Sequence, residues 1–93
     1  MEILPADKYL TNSPIKQLLH ITSELWEVLK ALIIYTLNPT RLNLIKLTCE
    51  IIDLQSSCQT MLEGPLGLSK ELINDCRDHV YWKNKIRGYY EVK

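Results

Sequence analysis

The thirty residues from Glu24 to Asp53, ELWEVLKALIIYTLNPTRLNLIKLTCEIID, decide the fold of this chain. They read as the end of one helix, a break, and the start of another. Upstream and into this stretch, Ile15, Leu18, Ile21, Leu25, Leu29 and Leu32 recur at helical spacing as far as Tyr35. The NPT at Asn38–Thr40 then breaks the chain, because proline and its preceding residue disfavour helical backbone. After it Leu44, Leu47, Ile51 and Leu54 resume the same period.

Working outward, the helix boundaries carry their own chemistry. Ser13 before Pro14 is an N-cap followed by a proline in the first turn, and Thr40 is the cap of the second helix. Cys58, Met61 and Leu62 extend that helix to about Glu63, where GPLG at Gly64–Gly67 stops it. Ser69 then caps a third helix with Leu72, Ile73, Cys76, Val80 and Ile86 on its expected buried side, and Gly88 ends it. No strand pattern competes. The expectation is one all-α domain over residues 1–93, with three main helices at about 14–36, 40–63 and 69–87.

Composition narrows the class further. Of 93 residues, 46% are hydrophobic, which is a large apolar share for a chain too short to bury much of it alone. A partner is expected, most simply another copy: a homodimer or homotetramer. Eleven basic residues balance eleven acidic ones, so the basic excess of a general nucleic-acid binder is missing. The longest apolar run, Ala31–Tyr35, is far below the roughly 20 residues a membrane span needs. MEILPADKYL has no basic region ahead of an apolar core, and three cysteines without a CxxC read as reduced core thiols. A cytoplasmic protein without membrane or nucleic-acid partners is the expectation.

Two acidic pairs interrupt the apolar pattern: Glu24 with Glu27, and Glu50 with Asp53. At 100° per residue each pair occupies one face beside an apolar stripe, the first stripe centred on Leu25 with Leu18, Leu29 and Leu32. The second stripe runs through Leu47, Ile51, Leu54 and Cys58. A short connection makes the helices antiparallel, which brings two mid-helix pairs to a similar height. Four uncompensated carboxylates there would repel one another and splay unless a positive charge sat between them. Hard divalent cations with oxygen ligands, Mg²⁺ or Mn²⁺, meet that need, whereas zinc lacks a His or Cys pair beside the acids.

ELWE followed after 22 residues by EIID resembles the ExxE…ExxD signature of MazG-like nucleotide pyrophosphohydrolases, an all-α NTP pyrophosphatase superfamily. KNKIRGYY at Lys83–Tyr90 resembles the KNxxRGY ending of small members, so the likeness runs from Ile15 to Tyr90. One departure is Ser23, where many members carry an acid. The resemblance implies a four-helix-bundle fold, here completed by oligomerisation. It also implies cleavage of a nucleoside triphosphate to a monophosphate and pyrophosphate. Glu24, Glu27, Glu50 and Asp53 would be the catalytic acids and would hold Mg²⁺.

Lys83, Asn84 and Arg87 match the family's substrate-side positions, and Lys83 and Arg87 share a helical face. His20, one turn before Glu24, is either a substrate contact or a polar edge residue. Lys46, one turn before Glu50, either pairs with that acid or reaches a phosphate. Trp26 and Trp82 suit core or interface packing better than stacking on a base. The competing reading is a non-catalytic helical module that dimerises through its apolar stripes and serves a regulatory partner.

Overall fold

The computed structural model describes residues 3–90. A short 3-10 turn, Asp7–Tyr9, precedes three α-helices: α1 Pro14–Leu37, α2 Arg41–Glu63 and α3 Lys70–Ile86. The described residues contain no strand, so the chain is all-α. Each helix begins where a hydroxyl satisfies an amide that the first turn leaves unpaired. Ser13 Oγ accepts from Lys16 N, Thr40 Oγ1 from Asn43 N, and Ser69 Oγ from Leu72 N, at 3.1–3.2 Å.

α1 and α2 form an antiparallel hairpin. Along α1 the shielded positions include Gln17, Ile21, Glu24, Val28, Ala31 and Tyr35. Along α2 they include Asn43, Leu47, Glu50, Leu54, Ser57 and Met61. Both series step by four and three residues alternately, which is the a/d seam of a coiled coil. The register is pinned at one end by Gln17, which is wholly buried. Its Nε2 donates to Ser57 O at 3.0 Å and its Oε1 accepts from Asn12 Nδ2 at 3.0 Å, so a buried amide keeps both its partners.

The segment before α1 lies against the end of α2. Ala6 N donates to Thr60 Oγ1 at 2.8 Å, and Ser56 Oγ donates to Leu4 O at 2.7 Å. Gly64 permits this approach: a Cβ there would stand 2.7 Å from Leu10 Cα. α3 packs only lightly on the hairpin. Ile73 is its one buried side chain, and Arg77 Nη2 donates to Gln59 Oε1 at 2.6 Å, while Gln59 Nε2 donates to Glu63 Oε2. The outcome is a wide, thin molecule, 42 × 41 × 23 Å.

This packing corrects three sequence expectations about what is buried. Leu18 and Leu25 are each 55% exposed, and Leu29, Leu32, Ile51 and Cys58 also face outward. On α3, Leu72, Cys76, Val80 and Ile86 are exposed rather than buried. All three cysteines are free and exposed, so they are not core thiols within this chain. On α3 the cause is its slight packing on the hairpin, which buries Ile73 alone; on α1 and α2 it is the seam. Two helices meeting along a narrow seam bury two positions per heptad, and a broader apolar stripe must look elsewhere for cover. Among the described residues Ile73 is the one buried hydrophobic side chain.

Candidate functional site

The seam brings the acids together. Glu24 and Glu50 occupy seam positions, and Asp53 directly precedes the seam residue Leu54. One carboxylate oxygen from each of Glu24, Glu50 and Asp53 lies within 4.8 Å of the other two. Glu24 and Glu50 are half-buried and Asp53 is exposed. Three of the four acids singled out by the sequence therefore converge, drawn from two helices that meet only through tertiary packing. Glu27 stays outside the cluster, its Oε1 3.1 Å from Lys30 Nζ. Exposed acids commonly gather without a cation, so proximity alone does not establish one.

The donor set can be tested against the needs of an ion. Oxygens opposite one another around Mg²⁺ stand about 4.2 Å apart, given metal–oxygen distances near 2.1 Å. The three oxygens stand within 4.8 Å of one another, somewhat wider than that separation. All three groups are carboxylates, with no thiol or imidazole in the cluster, a donor chemistry that suits Mg²⁺ or Mn²⁺ better than zinc. The residues fit a hard divalent cation.

Beside the acids runs an open groove of about 510 Å³. Glu27, Glu50, Lys30, Lys46, Asn43 and Cys49 are among the residues that line it. Two acids and two lysines thus share one depression on the hairpin. Lys46 lines the groove with Glu50, and no ion pair joins the two among the described residues.

His20 stands beside Glu24. Its Nε2 lies 3.4 Å from Glu24 Oε1, and its ring packs on Tyr9 at a tilt of 34°, with centroids 4.6 Å apart. Tyr9 arrives from the 3-10 turn, which is held down by the bonds of Ala6 and Leu4 to α2. Sequence reading missed Tyr9, since a lone tyrosine ahead of a cap carries no periodic signal. It also missed Lys30 as a partner of Glu27, although the i, i+3 spacing on one helix was there to be read.

Lys83, Asn84 and Arg87 do not border this groove, which is lined from α1 and α2 alone. They lie in the last turn and C-cap of α3, where Arg87 N donates to Lys83 O at 3.1 Å and Asn84 O accepts from Tyr89 N. Nearby, Tyr81 stacks on Tyr90 at 5.3 Å and Lys85 Nζ lies 4.9 Å from the Trp82 ring. Trp26 and Trp82 are both exposed. No helix among the described residues is long and apolar enough to cross a membrane. The chain matches no protein-family model, no curated protein and no solved structure.

Proposed function

We propose that this chain is a Mg²⁺-dependent nucleoside triphosphate pyrophosphohydrolase of the MazG-like kind, acting as a homodimer or homotetramer that completes a four-helix bundle. The observation that carries the reading is the meeting of Glu24, Glu50 and Asp53 across the hairpin, with Lys30 and Lys46 on the groove beside them. Carboxylates bind the ion and ammonium groups bind the phosphates, which is the division of labour a polyphosphate substrate requires.

In this reading Glu24, Glu50 and Asp53 hold the cation. A divalent ion bound there supplies charge neutralisation at the phosphoryl oxygens and lowers the pKa of water. Glu27 lies outside the cluster on the same groove as Glu50, and it is the acid left to accept the proton of the attacking water. Lys30 and Lys46 steady the triphosphate as point charges, and His20 borders the site through Glu24. Lys83, Asn84 and Arg87 complete phosphate binding only within the assembled oligomer.

The test is direct. Purified protein is incubated with a panel of nucleoside and deoxynucleoside triphosphates and Mg²⁺, and pyrophosphate release is followed. Activity that disappears with chelator and in Glu50→Gln supports the reading. If every triphosphate stays intact, the second reading takes over: a non-catalytic helical module that dimerises and serves a regulatory partner. That alternative is favoured by the wide apolar surface the single chain exposes. It predicts no change of thermal stability with Mg²⁺.

A further inference from the structure

We propose that the junction of the N-terminal segment, the end of α2 and the start of α3 binds a small organic anion, a carboxylate or phosphate on a short apolar tail. An open cavity of about 530 Å³ lies there, within the span of about 300–1,000 Å³ common to small-molecule sites. Its polar lining comes from Gln59, Glu63, Lys70, Asn74 and Arg77. Ile3, Leu4, Pro5 and Ile73 supply the apolar lining. None of these residues belongs to the acid cluster or to the groove beside it. The cavity is a separate site, and it stands whether or not the chain cleaves nucleotides.

The charge of the cavity selects an anion. At about 100° per residue, Lys70, Asn74 and Arg77 fall within roughly 60° of one another, on one face of α3. Arg77 is aimed by a buried amide. Gln59 is only 8% exposed; its Oε1 accepts from Arg77 Nη2 at 2.6 Å and its Nε2 donates to Glu63 Oε2 at 2.8 Å. Gln59 thus engages both the guanidinium and the single acid of the cavity. Arg77 commits one N–H to that bond and keeps the rest of its fork. Neither Arg77 nor Lys70 is paired with a carboxylate: the ion pairs among the described residues join His20 to Glu24 and Lys30 to Glu27. Two cations against one acid leave a local positive excess, and an oxyanion supplies the acceptors that their unused donors lack.

The apolar lining sets the rest of the ligand. It is held in place by the chain itself: Leu4 O accepts from Ser56 Oγ and Ala6 N donates to Thr60 Oγ1, which fasten the N-terminal segment to α2. Ile3 and Leu4 nonetheless leave 43% and 62% of their surface exposed, in the same cavity as the guanidinium. Water or an inorganic ion satisfies free donors but leaves that apolar surface wet. A charged head on a short hydrocarbon tail satisfies both, the usual composition of a small-molecule ligand for a site with a few convergent polar groups. Such a ligand also touches three parts of the chain at once, where α3 packs only lightly on the hairpin.

Titration of the full chain with sodium butyrate, followed by amide NMR without Mg²⁺, tests the site. The side-chain amides of Gln59 and Asn74 report from within it. They should shift together and saturate, with a Kd of about 1 mM, an affinity within reach of so small a ligand. Acetate, shorter by two methylenes, should bind about tenfold more weakly, and butylamine should give no saturating shift. Butyl phosphate is the second arm: saturation by either head supports the proposal, and the tighter one assigns the headgroup. Lys70→Gln removes an unpaired charge from an exposed position and should raise the Kd roughly fivefold. Shifts that never saturate, that acetate or butylamine reproduce, or that centre away from Gln59 and Asn74 overturn the proposal. So does a Kd unchanged in Lys70→Gln; if that variant fails to fold, the titration of the unaltered chain decides the matter.

Discussion

Gln17 Nε2 donates to Ser57 O across 40 positions of sequence, at 3.0 Å. That bond, at the end of the hairpin, ties α2 to α1 in one register. Two turns further along, the same register sets Glu24 beside Glu50 and Asp53. A shift of the pairing would carry one acid pair past the other. The acid cluster and the buried amide therefore belong to one register of the hairpin.

Gln17→Met tests this dependence. It preserves volume but removes both the Ser57 and the Asn12 hydrogen bonds. Unfolding stability should fall by about 1–3 kcal/mol, the cost of leaving buried partners unpaired. The readout is a lower urea midpoint with an unchanged m-value.

Gly64→Ala addresses the segment that carries Tyr9. The new Cβ meets backbone atoms of Leu10, which no side-chain rotation can relieve. The expected cost is about 1–3 kcal/mol, typical of overpacking. The Tyr9–His20 ring contact should loosen as well, visible as a shifted His20 ring resonance in the NMR spectrum.

Glu50→Gln and Glu27→Gln should separate the cluster from its neighbour. Without divalent ion, Glu50→Gln is expected to be no less stable than the parent, because it removes like-charge repulsion. With Mg²⁺ at about a hundred times its dissociation constant, the parent gains about 2.7 kcal/mol and Glu50→Gln gains little. Glu27→Gln should keep most of that gain, since Glu27 lies outside the cluster, yet lose pyrophosphate release. Melting curves with and without Mg²⁺ supply the first reading and nucleotide turnover the second. Loss of the Mg²⁺ effect in Glu27→Gln would contradict the arrangement.

Lys83→Ala and Arg87→Ala ask whether α3 takes part. Neither residue borders the groove within one chain, so both variants should keep the Mg²⁺-dependent rise in Tm. Loss of a charge-assisted phosphate contact should raise KM by roughly tenfold or more, since such bonds contribute about 1.5–3 kcal/mol. An unchanged KM would remove α3 from the substrate site.

Much of the secondary structure was legible because its causes are local. Ser13, Thr40 and Ser69 cap amides three residues ahead of them, and Pro39 and Gly64 act on the backbone around them. The acid pairs were legible for the same reason, as residues one turn apart on one helix. Tyr9 beside His20 was not, because the contact depends on Ala6 reaching Thr60, 54 positions away.

The sequence by itself determined where the helices start and stop, and that each central helix carries an acid pair beside an apolar stripe. Only the tertiary structure decided which face of each helix meets the other. Periodicity finds the most apolar stripe and presumes that the same chain covers it. Here the intrachain seam took the mixed series from Gln17 to Tyr35 and left Leu18, Leu25, Leu29 and Leu32 outside. The choice follows from a few long-range bonds and from the narrowness of a two-helix seam. Neither is encoded within any one helix. That choice gathered Glu24, Glu50 and Asp53, and set Glu27 apart.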